Sequence, residues 1–203
     1  MPLGYHAGMT GETDLARIAR IGDSVFAVTI TLLAYRIRIP SHEALASGQA
    51  SALMPFLSDL AAVLMSFFVA SMFWISHWRV MRRMQQSDIK FAALNLLFLG
   101  ALVMLPISTS LVSGSLTPIG ALVYSANLFL AATGGLLLRM HARHLQPQAF
   151  GSGLLLLSPL LSMLLFGGAA VVSLQWPLAA MVMWWCAVMS PWIDRRWGLG
   201  PTV

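Results

Sequence analysis

Asp23, Trp74 and His77 are polar or ionisable side chains near the ends of long apolar runs, where such groups need a reason. A carboxylate inside hydrocarbon costs about 2.5–3.5 kcal/mol at the midplane and less near an interface, so Asp23 requires water or a partner. If the runs are antiparallel helices, Asp23 stands about 9 Å beyond Arg17, and Trp74 and His77 stand a similar distance before Arg82 and Arg83. Trp74, His77 and Met81 also share a helical face through three- and four-residue spacing. Asp23 and His77 can therefore meet at one depth, as a brace between helices or as a proton relay. The plainer alternative is an interfacial acid that snorkels and an ordinary juxtamembrane histidine.

A second pattern lies on the run that holds Asp23. At about 100° per residue, Ser24, Ala27, Val28, Thr31 and Tyr35 fall on one side, and Phe26, Ile30, Leu33 and Ile37 fall opposite. One face is small or hydroxyl-bearing; the other is bulky and oily. Small residues allow close packing of membrane helices, and the same face could equally form the wall of a pore. Asp59 lies near the far end of the next run and reads as solvated. Arg36 and Arg38, with His42 and Glu43, read as a collar at that end. The single Cys186 cannot make an intrachain disulfide, and no Cys/His cluster has zinc-ligand spacing. No nucleophile, base and orienting group share a plausible depth, so the chain does not read as an enzyme and needs no cofactor.

The elements that carry these residues are membrane helices. Hydrophobic residues make up 58% of the chain and charged residues 9%, against about 25% charged in a water-facing domain. The fold class is an all-α integral membrane protein. Six apolar stretches, Ile18–Ile39, Met54–Trp78, Phe91–Val112, Ile119–Leu138, Gly153–Leu174 and Leu178–Trp192, predict six transmembrane helices with both termini on one side. The polar start of the chain is unlike a signal peptide. With the N-terminus cytoplasmic, Arg17, Arg20, Arg79, Arg82, Arg83, Lys90, Arg139, Arg143, Arg195 and Arg196 lie inside, and only Arg36 and Arg38 lie outside. That bias satisfies the positive-inside rule and predicts cytoplasmic N- and C-termini. It also accounts for the net charge of +5 without a nucleic-acid partner. The expected organisation is a cytoplasmic N-terminal segment (1–16), a six-helix domain (17–196) and a cytoplasmic C-terminal tail (197–203), in the cell membrane.

The stretch from Arg17 to Leu33, with Arg17, Asp23 and Ser24 in order, resembles the first-helix signature of the transmembrane protein 175 potassium channels, single-repeat bacterial form. That signature reads Arg, three variable residues, then Phe-Ser-Asp. Phe73-Trp74-Ile75-Ser76-His77-Trp78-Arg79 resembles the family's Phe-Trp-x-Ser-His-His-Arg segment, and Asn95 to Leu99 with Leu105-Pro106 resembles its third helix. The resemblance implies a homotetramer in the lipid bilayer that passes potassium ions along a pore lined by four copies of the first helix. It implies Val28 at an apolar constriction, Thr31 one turn beyond, and Leu32 and Tyr35 further along. Arg17, Asp23, Trp74 and His77 fall on the network that braces this helix. Three positions depart from the pattern. Ile21-Gly22 replaces Phe-Ser, Val28 is smaller than the usual Ile or Leu, and Trp78 replaces the second His.

These expectations favour a potassium-preferring cation channel. The rival is a proton-coupled secondary transporter working through Asp23 and His77, against which the sequence offers no two matching broken helices.

Overall fold

The computed structural model describes residues 10–35, 37–46, 50–150 and 156–196. Arg36 of the expected collar, residues 1–9 of the N-terminal segment, residues 153–155 at the start of the fifth run and the tail 197–203 lie outside the described residues. Every regular element among those described is helical. In chain order they are α1 (Thr10–Ala34), α2 (His42–Ala46), α3 (Ala50–Met81), α4 (Ile89–Val103), α5 (Leu105–Val112), α6 (Pro118–Leu145), α7 (Pro147–Phe150), α8 (Leu157–Val172) and α9 (Pro177–Arg196).

Three segments are long and apolar enough to cross a membrane: Leu53–Met81, Ile89–Val112 and Pro118–Leu145. Leu157–Val172 and Pro177–Ser190 are apolar but shorter. The first helix is a different case. It was expected over Ile18–Ile39, but it begins at Thr10 and gives way to a turn at Tyr35, ahead of Pro40. Its apolar part after Asp23, from Ser24 to Ala34, is about 16 Å long, roughly half of a bilayer core. With Arg17, Arg20 and Asp23 ahead of so short an apolar part, α1 is poorly suited to a lipid surround and needs protein or water along it.

The third run also differs from expectation. Instead of one helix it is two, α4 and α5, joined at Met104. Pro106 explains the break, because at the second position of α5 it has no N–H to continue the ladder. Ser108 and Thr109 then donate their hydroxyl protons to the Leu105 carbonyl, at 3.0 and 2.7 Å. The Leu105 carbonyl just after the break is thus satisfied by side chains of its own helix.

Helix α6 is central, packing on α4, α5 and α8, and α8 packs in turn on α9. The core between them holds Phe98, Tyr124, Leu128, Phe166 and Trp184, with Trp184 edge-on to Tyr124 at 4.6 Å between ring centres. A smaller apolar cluster at the basic ends of the helices contains Leu15, Val80, Phe91, Leu138 and Phe150. Helix α1 lies at the margin of this bundle, packed on α3, α4 and α5. Its contact face is the oily one, with Phe26 and Leu33 each 1% exposed.

Buried hydroxyls tie α3 to α5 and α6. Ser66 Oγ lies 2.7 Å from Thr109 Oγ1 and 3.0 Å from the Tyr124 hydroxyl. Since Thr109 gives its own proton to Leu105, the chain runs in one direction: Tyr124 donates to Ser66, and Ser66 donates to Thr109. No buried polar side-chain atom among the described residues is left unsatisfied.

Candidate functional site

The face of α1 that points away from the bundle carries the residues singled out by the wheel. Val28 is 58% exposed, Leu32 48% and Tyr35 86%, and Ser24, Ala27 and Thr31 are exposed beside them. Large apolar side chains standing bare on a helix that is too polar to face lipid require another surface to cover them or a water path to line. The hydroxyls are already turned inward along their own helix. Ser24 donates to the Arg20 carbonyl at 2.9 Å, and Thr31 donates to the Ala27 carbonyl. With the proton committed, the Thr31 oxygen presents lone pairs outward, and lone pairs are what a cation takes in place of hydration water.

Behind this face, the residues expected to brace the helix separate into two contacts. Trp74 Nε1–H donates to Asp23 Oδ1 at 3.1 Å, joining α3 to α1. His77 instead pairs with Asn95 on α4, its Nε2 donating to the amide oxygen at 2.7 Å, which fixes the tautomer. Its ring is stacked on Phe98 at 5.6 Å and tilted against Phe26 at 5.7 Å. The structure therefore brings Asp23 to Trp74 and His77 to Asn95, with no hydrogen bond between Asp23 and His77. Arg17 is exposed, with no hydrogen bond or ion pair to another described residue. Trp74 also stacks near Trp78, 6.5 Å between ring centres, and Trp78 takes the Arg82 guanidinium over its face at 4.6 Å.

Gly22 explains how His77 comes so close. A Cβ at residue 22 would stand 2.6 Å from His77 Cε1, well inside contact distance, so the glycine serves as the seat of the imidazole. Replacement of the signature's Phe-Ser by Ile21-Gly22 reads in the sequence as a loss of helix propensity. In the fold it admits a side chain from α3. Ile21 is exposed, at 49%.

At the far end of α1, Asp59 is not solvated as expected. It is fully buried and held by Arg38, whose Nε and Nη2 each donate at 2.7 Å and whose backbone N–H donates at 3.1 Å. Ser113 adds a fourth donor. Burial of a carboxylate demands such partners. The hydrogen bond that Arg38 donates to Asp59, and then the carboxylate charge, hold the Arg38 proton more firmly than usual. Only the solvent-facing part of Arg38 remains for the expected collar, while His42 and Glu43 are exposed on α2. Gly114 beside it has φ +82°, a conformation that favours glycine, and any side chain there would strike the Arg38 guanidinium.

Comparison with known proteins finds relatives for part of this chain. The profile of the family described as endosomal/lysosomal potassium channel TMEM175 matches residues 17–106, which hold α1, Trp74, His77 and Asn95. Residues 17–106 are therefore similar to the TMEM175 family. A potassium channel of Chamaesiphon minutus is 31% identical over 125 residues, covering 59% of this chain and 61% of that one. A potassium channel of Streptomyces collinus is 31% identical over 117 residues, covering 55% and 56%. The matched region thus spans about three fifths of the length of these relatives. Among solved structures, a lysosomal potassium-selective channel TMEM175 homolog from Chamaesiphon minutus superposes with a TM-score of 0.77 at 24% identity, covering 91% of this chain and 98% of that one. At this identity the match speaks for the TMEM175 fold, and it extends over the later helices that the profile leaves out.

Sequence reasoning placed the exposed face of α1 but missed the pairing of Arg38 with Asp59. It quoted Asn95 only within a resemblance. The signal available for Asn95 was its isolation, as the one amide within the apolar run from Phe91 to Val103.

Proposed function

We propose that this chain is a potassium-preferring cation channel whose pore is lined by the exposed face of α1 from four identical subunits. The observation that carries the proposal is the partition of α1. Val28, Thr31, Leu32 and Tyr35 are bare on one side, Phe26 and Leu33 are buried on the other, and the helix carries Arg17, Arg20 and Asp23 ahead of an uncharged part limited to Ser24–Ala34. A symmetric assembly with four such faces turned inward gives them water and gives the helix protein neighbours. Val28 forms the narrowest apolar ring, where water is held poorly and an ion must shed hydration or wait for the ring to widen. Thr31, one turn along, offers four acceptor oxygens to the ion.

In this reading residues 17–196 form the channel domain with six crossings, α4 and α5 together making the third. The segments 1–16 and 197–203 lie on the cytoplasmic side of the cell membrane. The Asp23–Trp74 contact and the His77–Asn95 contact brace α1 against α3 and α4, and Arg17 sits at the cytoplasmic mouth. A channel with this pore needs no enzymatic step. The alternative of proton-coupled transport through Asp23 and His77 has less support, since the two groups bond to Trp74 and Asn95 rather than to each other.

The deciding experiment is the reversal potential of the purified protein in a planar bilayer with unequal potassium and sodium. A potential near the potassium equilibrium value is expected. Silence, or flux that moves only with a proton gradient, would overturn the reading.

A further inference from the structure

Helix α1 approaches α3 more closely than a side chain would allow. Gly22 is buried against α3, and a Cβ built on it falls 2.6 Å from His77 Cε1 and 3.4 Å from both ring nitrogens. Ordinary carbon contacts are about 3.5–4.0 Å, so even a methyl group is about an ångström too close. The imidazole is held on several sides. Its Nε2 is bonded to Asn95 at 2.7 Å, one ring face is stacked on Phe98 with planes 17° apart, and Phe26 of α1 closes another side. His77 itself is 4% exposed. In a packed interior the strain of an added atom goes to whichever element is least restrained. Here that element is α1, which packs on α3, α4 and α5 by one face and is uncovered on the other, whereas α4 is backed by α6 and α3 by α5, α6 and α9.

The direction of such a shift follows from helical geometry. Thr31 is nine residues beyond Gly22, and at roughly 100° per residue it lies on the opposite side of the helix. Pushing α1 away from His77 therefore moves the Thr31 and Val28 face outward from the bundle, toward the space it borders.

We propose that Gly22 is a positioning residue that sets the bore of the pore by letting α1 sit one side-chain atom closer to His77. This rests on the reading of α1 as pore helix. The glycine keeps four copies of α1 withdrawn from the axis. Any side chain at residue 22 advances them and narrows the ring at Val28. The proposal assigns Gly22 a role in conductance and selectivity although it never touches the ion.

The test uses unitary conductance and reversal potential of the full chain in planar bilayers, since neither depends on how many molecules fold. Gly22→Ala should lower unitary conductance by about twofold or more, and Gly22→Ser should lower it further. His77→Asn is smaller and keeps an amide partner for Asn95. Combined with Gly22→Ala it should restore most of the conductance. Wild-type conductance retained by Gly22→Ala would overturn the spacing proposal and leave the channel reading intact. A silent wild-type protein would instead overturn the channel reading itself. If Gly22→Ala does not assemble, recovery of the oligomer in the double variant supports the steric coupling, and failure of both overturns it.

Discussion

Arg38 and Asp59 meet in a two-point ion pair, with Nε on one carboxylate oxygen and Nη2 on the other, both at 2.7 Å. The two partners live in different environments: the Arg38 side chain is 62% exposed and that of Asp59 is fully buried. This asymmetry makes the consequences of losing each one different. Arg38→Ala leaves a buried carboxylate with only Ser113 and the backbone N–H of residue 38 to satisfy it, and should lower the thermal midpoint by more than about 5 °C. Arg38→Ala combined with Asp59→Leu removes the stranded charge and should recover most of that loss. Fluorescence-detected size exclusion after heating measures both. A double variant no better than the single one would mean that the pair acts through geometry, clamping the end of α1, and not through charge.

The ring proposed at Val28 leads to a second prediction. Val28→Asn places a hydrated amide where methyl groups exclude water, and should raise unitary conductance severalfold while reducing the preference for potassium over sodium. Val28→Leu should do the opposite. Bilayer recordings under bi-ionic conditions give both quantities, and currents unaffected by either change would remove Val28 from the pore.

The hydroxyl chain through Ser66 has a direction, and so do the effects of breaking it. Tyr124→Phe removes a donor that Ser66 can spare, at about 0.5–1.5 kcal/mol. Ser66→Ala strands the fully buried Tyr124 hydroxyl and removes the donor to Thr109, at about 1–3 kcal/mol. Denaturation in detergent should rank the serine variant as the weaker. Equal losses would place a water in the cluster.

Asp88 makes the stability of the basic end depend on pH. It caps α4 by accepting from the Phe91 N–H at 2.7 Å, and both its oxygens lie within 3.0 Å of His141 Nε2 on α6. Burial pushes its carboxyl upward, but the Phe91 and His141 hydrogen bonds together outweigh this and hold it below the ordinary carboxylate value. The folded value therefore lies under the unfolded one, about 3.9, so the stabilisation is complete above that pH and fades as pH falls through the folded value. The thermal midpoint of the wild type should drop on acidification below about pH 4 more than that of Asp88→Asn, which keeps the cap without the charge. Parallel pH profiles would assign the acid response to another group.

Much of this molecule is legible in its sequence because the signals are local. Composition alone places the chain in a membrane, and the 3.6-residue period of α1 separates Phe26 and Leu33 from Val28, Thr31 and Tyr35 before any fold is known. Pro106 marks a place where a helix must falter, although the expectation ran the helix straight through it. The resemblance to a family was also readable, since its signatures are short runs of neighbouring residues.

Partner choice was decided by tertiary structure. Depth arguments bring Asp23 and His77 level, yet helix rotation and spacing give Asp23 to Trp74 and His77 to Asn95, because a hydrogen bond is set by tenths of an ångström that hydrophobic periodicity does not encode. Asp59 reads as a solvated acid until the chain after α1 folds back and lays Arg38 across it, 21 residues away in sequence. Gly22 reads as a weak point in a helix until His77 occupies the space left by its missing side chain. In each case the sequence names the groups, and packing between distant segments selects which of them touch.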